Sequence, residues 1–159
     1  LTEPVYQREL SGANSRFFTL YFYQGNNMAF TLRSMGGGFC GMGDWGGGWM
    51  CRNEVQSCWV YFDVYNYKGV RYLKVNQPGS KWHGYYLSVN NNGYLGLYSW
   101  SGASGWALSG DEQLLCQYNG LPVRVDRMNQ AQYFQTGTYN TEPIYFPREY
   151  NADLYAALA

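Results

Sequence analysis

Residues 84–125, GYYLSVNNNGYLGLYSWSGASGWALSGDEQLLCQYNGLPVRV, carry the pattern that decides the fold class. Leu87-Ser88-Val89 alternates apolar and polar residues, Asn91-Asn92-Gly93 interrupts it, and Tyr94–Trp100 resumes as a second β-type run. A period of two is what a strand with one buried face writes into a sequence. Asn-Asn-Gly supplies the positive-φ positions that a tight hairpin needs. Gly105–Leu108, Gln113–Tyr118 and Pro122–Val125 follow as further short runs, with Asn119-Gly120 marking another turn. Leu95 and Leu97 have the opposite parity to Tyr94, Tyr98 and Trp100. Leucine is the commoner core lining, so the three aromatics are expected to point outward.

The same grammar extends in both directions. Arg16–Tyr23, Met28–Arg33, Cys58–Tyr65, Val70–Val75 and Gln132–Gln135 are β-type runs bounded by Gly, Asn or Pro. Their spacing, mostly about 8–12 residues, is that of an all-β sandwich or barrel. No segment before residue 148 repeats apolar residues at a helical period, and Pro143 and Pro147 keep their stretch extended. The organisation read from this is an N-terminal extension over 1–15, a β domain over 16–147 and a tail over 148–159. Tyr150–Ala159 in that tail is either a short helix or a frayed end. The first residue is Leu1, from which removal of a preceding segment is expected.

Composition narrows the function classes. The 159 residues hold 11 Lys+Arg against 11 Asp+Glu, and only 14% are charged, against about 25% in an average domain. A nucleic-acid binder needs a basic face to displace counterions, and that face is not in this balance. No apolar run reaches the roughly 18 residues of a membrane-spanning helix. Seventeen Tyr, eight Phe and six Trp exceed what one small core can hold with every polar atom paired. A ring-rich outer surface is therefore expected, of the kind that makes rigid, amphipathic contacts. Trp59 and Trp106, in strands beside aliphatic residues, read instead as core anchors.

Four cysteines, Cys40, Cys51, Cys58 and Cys116, are an even set compatible with two disulfides in an oxidising, extracellular setting. Cys40–Cys51 and Cys58–Cys116 are the favoured pairs among three possible pairings. No C-x-x-C occurs and His83 is the lone histidine, so no metal site and no cofactor are expected.

Residues 84–125 also resemble one repeat of the ricin-B-like β-trefoil lectins, over about a quarter of the chain. Leu87-Ser88-Val89, Asn92-Gly93, Leu97–Trp100, Trp106-Ala107-Leu108 and Asn119-Gly120-Leu121 fall in the order of that repeat. Ser104 stands where the family's signature has Gln, and the family's sugar-binding Asp is matched by Ser88 or by Asn90–Asn92. The resemblance implies a β-trefoil-like barrel of short strands, with a β-sandwich as the alternative. It further implies glycan or glycoconjugate binding, and a role as the receptor-binding component of a toxin or adhesin.

Two segments are candidates for the binding chemistry. Gly36–Trp49 packs eight glycines into fourteen residues and reads as a loop. Its G-x-G-x-x-G match has no following helix to receive a pyrophosphate. Asp44 with Trp45 and Trp49 offers aromatic faces and a carboxylate, which suits the apolar C–H faces and hydroxyls of sugars. Asn90 and Asn92 with Tyr94, Tyr98 and Trp100 offer aromatic faces and amides. The reading is a secreted, non-enzymatic carbohydrate-binding domain with these eight residues as ligand contacts. One alternative is a structural or assembly subunit that buries its aromatics against a protein partner. The other is a small glycoside-cleaving enzyme, for which Asp44 with Glu54 or Asp111 with Glu112 are the carboxyl pairs.

Overall fold

In Val70–Val75, Leu73 and Val75 are buried while Tyr72 and Lys74, of the opposite parity, face outward. That alternation organises the whole computed structural model, which describes residues 29–42, 48–127 and 130–159. Seven strands, β1 (Arg33–Ser34), β2 (Gly37–Met42), β3 (Trp49–Asn53), β4 (Phe62–Tyr67), β5 (Val70–Val75), β6 (Tyr86–Val89) and β7 (Leu95–Tyr98), form one antiparallel sheet. Its order is β1-β2-β3-β7-β6-β5-β4. The sheet curls into a half-barrel. Bridges Phe30↔Phe62 and Cys40↔Trp59 tie the chain entering β4 to the opposite edge. The fold is mostly β, as its strand rhythm indicates, with one short C-terminal helix.

The inner face is aliphatic and phenylalanine-rich: Phe39, Met50, Phe62, Leu73, Leu87, Leu95 and Leu97 are fully buried. Two small sheets add to the same core. One pairs β8 (Trp106–Leu108) with β9 (Leu114–Cys116); the other orders β11 (Phe134–Gln135), β10 (Arg124–Asp126) and β12 (Thr141–Pro143). Phe134 stacks on Phe39 at 4.0 Å between centroids, and Trp106 donates its indole N–H to the Leu87 carbonyl at 2.9 Å. Both core tryptophans are buried as expected: Trp106 lies inside, and Trp59 caps the outer face of β2.

The tail forms a 3-10 turn at Arg148–Tyr150 and then α1 (Ala152–Leu158), which buries Leu154, Tyr155 and Leu158. Asn151, 3% exposed, clips it to the sheet edge. Its Oδ1 accepts from the Arg33 N–H at 2.8 Å, and its Nδ2 donates to the Arg33 and Pro147 carbonyls at 2.7 and 2.8 Å.

Three expectations change. Within the glycine-rich segment, Gly37–Met42 and Trp49 are strand, belonging to the arms of the β2–β3 hairpin and not to a loop; residues 43–47 lie outside the described residues. Glycine scores low for strand formation, yet here it permits close approach. A Cβ on Gly38 would lie 2.8 Å from the Trp59 ring, and one on Gly37 2.3 Å from the Asn53 carbonyl oxygen. Cys58 lies in a 3-10 turn (Gln56–Cys58) before the strand, and Trp100 begins another (Trp100–Gly102) after β7. The run Arg16–Tyr23 and the 1–15 extension lie outside the described residues.

The cysteines also differ from expectation, since all four are free thiols. Cys116 belongs to the inner core, whereas Cys58 sits outside the sheet beside Cys40, so no Cys58–Cys116 bridge forms. Cys40 and Cys51 do face each other across β2 and β3. Their neighbours Phe39 and Arg52 send their N–H groups elsewhere, to Leu32 and Gln132. By alternation the cysteines are therefore the hydrogen-bonded pair of the ladder. Such pairs hold their Cβ atoms about 5.5 Å apart, wider than the 3.5–4.5 Å a disulfide spans.

Candidate aromatic and amide binding site

Residues 90–94 form the β6–β7 turn, and asparagine chemistry shapes it. Asn90 Oδ1 accepts the backbone N–H groups of Asn92 and Tyr94, both at 2.9 Å, and Gly93 takes φ 89°. Gly93 and Tyr94 then join residues 135 and 136. Thr136 N–H donates to the Gly93 carbonyl at 2.8 Å, and Tyr94 bridges Gln135. Three residues before Gln135 the same segment bonds to β3. Arg52 N–H and Nε donate to the Gln132 backbone and side-chain oxygens, each at 3.1 Å. Tyr133 is thus strung between β3 and the turn.

The result is a cleft of about 340 Å³ lined by Trp49, Asn90, Asn92, Tyr94 and Tyr133. Tyr94 meets Trp49 and Tyr133 edge-on, at 6.3 Å (68°) and 6.4 Å (85°) between centroids. Trp49 pairs with Gly96 across the sheet, and a Cβ on Gly96 would come within 3.3 Å of its ring. The missing side chain is what seats the indole against the sheet. Among the described residues the lining has three rings and two amides, and no carboxylate, imidazole or thiol. Such a surface can stack on an apolar face and exchange hydrogen bonds with hydroxyls.

Four of the eight expected ligand contacts, Trp49, Asn90, Asn92 and Tyr94, come together here from two sequence-distant segments. Asp44 and Trp45 lie outside the described residues. Tyr98 lies two residues along the same outer face as Tyr94, beyond Gly96, and burial raises its hydroxyl pKa. Trp100 points elsewhere. It sits 44% exposed among Tyr72, Tyr86, Tyr67 and Tyr65, at 4.7, 5.2, 5.4 and 5.6 Å between centroids. Lys74 Nζ lies 5.5 Å from both the Tyr65 and Tyr86 rings at the rim of that cluster. Tyr133 was missed by the sequence reading. Its neighbour Phe134 fills the core, so strand alternation alone turns Tyr133 outward.

Ser88, one of the two matches to the family's sugar-binding position, is sealed. It is fully buried and hydrogen-bonded to the Gly102 carbonyl and to Ser104 Oγ. The other match, Asn90–Asn92, is the one at the cleft.

A second concavity, of about 540 Å³, lies between the turn 109–113 and the tail. Its Glu112 is a clasp. The residue takes φ 63°, its Oε2 accepts the Arg148 N–H at 2.7 Å, and its carbonyl accepts the Phe146 N–H at 2.7 Å. Arg148 covers the Tyr155 ring at 4.4 Å. His83 Nδ1 accepts the Gln77 N–H at 3.0 Å and shapes the 77–83 turn.

No protein-family model, curated protein or solved structure matches the chain.

Proposed function

We propose that the protein is a carbohydrate-recognition domain that binds a glycan or glycoconjugate without chemical turnover. The observation that carries this reading is the cleft in which Trp49, Tyr94 and Tyr133 stand beside the Asn90 and Asn92 amides. A pyranose presents an apolar C–H face and a ring of hydroxyls, and this lining offers a partner to each. The strand repeat in residues 84–125 and a curled wall with accessory small sheets support a trefoil-like arrangement as the finer fold proposal. The reading places the protein outside the cell, where such ligands are displayed, as the receptor-binding component of a toxin or adhesin.

The test is a glycan array on the full chain, followed by titration of a bound sugar in wild type and Trp49→Ala. Selective binding that is lost in the variant, with its circular dichroism unchanged, is the expected result. An empty array with a folded protein refutes the reading.

A second reading, a subunit that docks on a protein, is favoured by one observation: the exposed Tyr65–Tyr67–Trp100 cluster on the outer face. Light scattering that returns a stable oligomer, with Trp100 protected from quenchers, would favour it over the first.

A further inference from the structure

The outer face of the β2–β3 hairpin holds three thiols that the binding cleft does not use. Cys40 and Cys51 oppose each other on β2 and β3, 3% and 1% exposed. The 3-10 turn Gln56–Cys58 folds over them, held by the Cys40↔Trp59 bridge and by the Val60 N–H donating to the Phe39 carbonyl at 2.8 Å. Cys40 pairs with Cys51 across the ladder and with Trp59, the residue after Cys58, at the bridge, so it lies between the other two; its own thiol donates to the Gly41 carbonyl at 3.7 Å. Cys58 is the half-buried member, with Sγ 3.0 Å from the Val55 carbonyl.

We propose that these residues form an oxidisable thiol centre in which Cys58 receives the oxidant and Cys40 resolves it, giving a Cys40–Cys58 disulfide that staples the 56–58 turn to β2.

Three observations separate this pairing from the others. Cys40–Cys51 is a hydrogen-bonded ladder pair, a class whose Cβ atoms typically stand about 1 Å beyond disulfide range unless the ladder bends. Cys58 sits on a three-residue turn outside the ladder, where a small backbone shift is cheap. Cys116 lies in the inner core, on the other side of the sheet. Metal binding is a poor fit, because among the described residues no group of three His, Cys, Asp or Glu side chains is arranged to hold an ion.

The order of attack follows from access, since Cys58 is half-buried and Cys40 and Cys51 are sealed. Burial, then the neighbouring Cys58, raises the Cys40 pKa far above its ordinary value. Burial, again followed by Cys58, pushes Cys51 up to about 11. Both therefore hold little thiolate at neutral pH. With a small-molecule disulfide such as oxidised glutathione, the Cys58 thiolate attacks one sulfur and the first glutathione thiolate leaves. Cys40 gives up its proton to the departed glutathione thiolate, attacks the Cys58 sulfur of the mixed disulfide and expels the second glutathione thiolate. Two protein thiols and one oxidant disulfide become one protein disulfide and two glutathione thiols, with the two protons carried off on the latter.

The test uses the full chain, reduced, desalted and incubated with oxidised glutathione, then alkylated and digested with trypsin. Cleavage after Arg33, Arg52 and Lys68 leaves Cys40 and Cys51 on peptide 34–52 and Cys58 on peptide 53–68. The expected result is these two peptides joined with the loss of two hydrogens, and alkylatable thiols falling from the four of the reduced chain to two. Cys51→Ser keeps the link, and Cys58→Ser leaves no bridged peptide. The proposal is overturned by peptide 34–52 closing on itself, by a link from 53–68 to the Cys116 peptide, by loss of the link in Cys51→Ser, or by four thiols that stay alkylatable. Fragmentation of the joined wild-type peptides, which assigns the bridge to Cys40 or Cys51, decides the pairing should a serine variant fail to fold.

Discussion

Asn151→Asp tests whether one buried amide holds the tail to the barrel. The wild-type side chain accepts one hydrogen bond from Arg33 and donates two, to the Arg33 and Pro147 carbonyls, while 3% exposed. Aspartate keeps the acceptor and loses both donors. Each lost bond costs about 1 kcal/mol, and seating a carboxylate against two carbonyl oxygens adds about 1 kcal/mol more. The sum is about 3 kcal/mol, or roughly 6–12 °C in Tm for a domain of this length. The deficit must also depend on pH. Burial raises the folded-state pKa of the introduced carboxyl above its unfolded value of about 3.9. A raised folded pKa means stability present below the unfolded pKa and lost as pH rises through the folded one. The variant should therefore be closest to wild type below about pH 4, where the neutral acid can donate to one carbonyl, and furthest from it near pH 7. Asn151→Ala removes the clip without adding a titrating group, so its deficit stays flat with pH. Thermal unfolding by circular dichroism at pH 3.5, 5 and 7 reads all three proteins. An Asn151→Asp protein as stable as wild type at pH 7, or with a deficit that ignores pH, refutes the clip.

Other substitutions separate the site from its scaffold. Trp49→Ala should weaken sugar binding by about 2 kcal/mol, roughly thirty-fold in Kd, with a change of less than about 2 °C in Tm because the ring is only half-buried; calorimetric titration reads the first and thermal unfolding the second. Gly38→Ala places a Cβ 2.8 Å from the Trp59 ring, whose N–H donates to the Asn53 carbonyl at 2.7 Å. Displacing that indole should cost about 1–3 kcal/mol in urea unfolding. Burial raises the Asp63 pKa, against the Val64 N–H and Lys74, which lower it, so the ionised carboxylate destabilises the fold above that pKa. Asp63→Asn should accordingly raise Tm at pH 7, and the gain should vanish as pH falls to the ordinary aspartate value of 3.8; a constant gain refutes the assignment.

The strand grammar was legible wherever one face is buried and the turn residues are explicit. Val70–Val75 matches its strand residue for residue, and Tyr85–Val89 and Tyr94–Trp100 need only trimming at their ends. The outward set at Tyr94 and Tyr98 followed correctly from the burial of Leu95 and Leu97. What could not be read was long-range. The glycine-rich arm β2 carries no alternation, because a Cβ on Gly38 or Gly41 would crowd the rings of Trp59 and Trp82. Nothing local says that β3 will pair with β7 rather than with a sequence neighbour, and that pairing is what brings Trp49 to Asn90 and Tyr94. Tyr133 entered the site the same way, through the Cys51↔Tyr133 and Tyr94↔Gln135 bridges.

The surplus of rings argued from composition takes a specific form in the structure. The inner face of the half-barrel is filled by Leu, Val, Met and Phe, and tyrosine is nearly absent from it. Trp106 is inside, but Trp49, Tyr65, Tyr67, Tyr94, Trp100 and Tyr133 lie on the outer face, where a hydroxyl or indole N–H can reach water. They do so in two ways. Around Trp100 the rings turn toward one another, four tyrosines edge-on to one indole, with Lys74 over two of them; much of their apolar surface is covered without a ligand. At Trp49, Tyr94 and Tyr133 the rings meet edge-on and, among the described residues, line an open cleft. A ligand gains most where apolar surface still meets water, which ranks the smaller, open site above the larger, self-packed cluster.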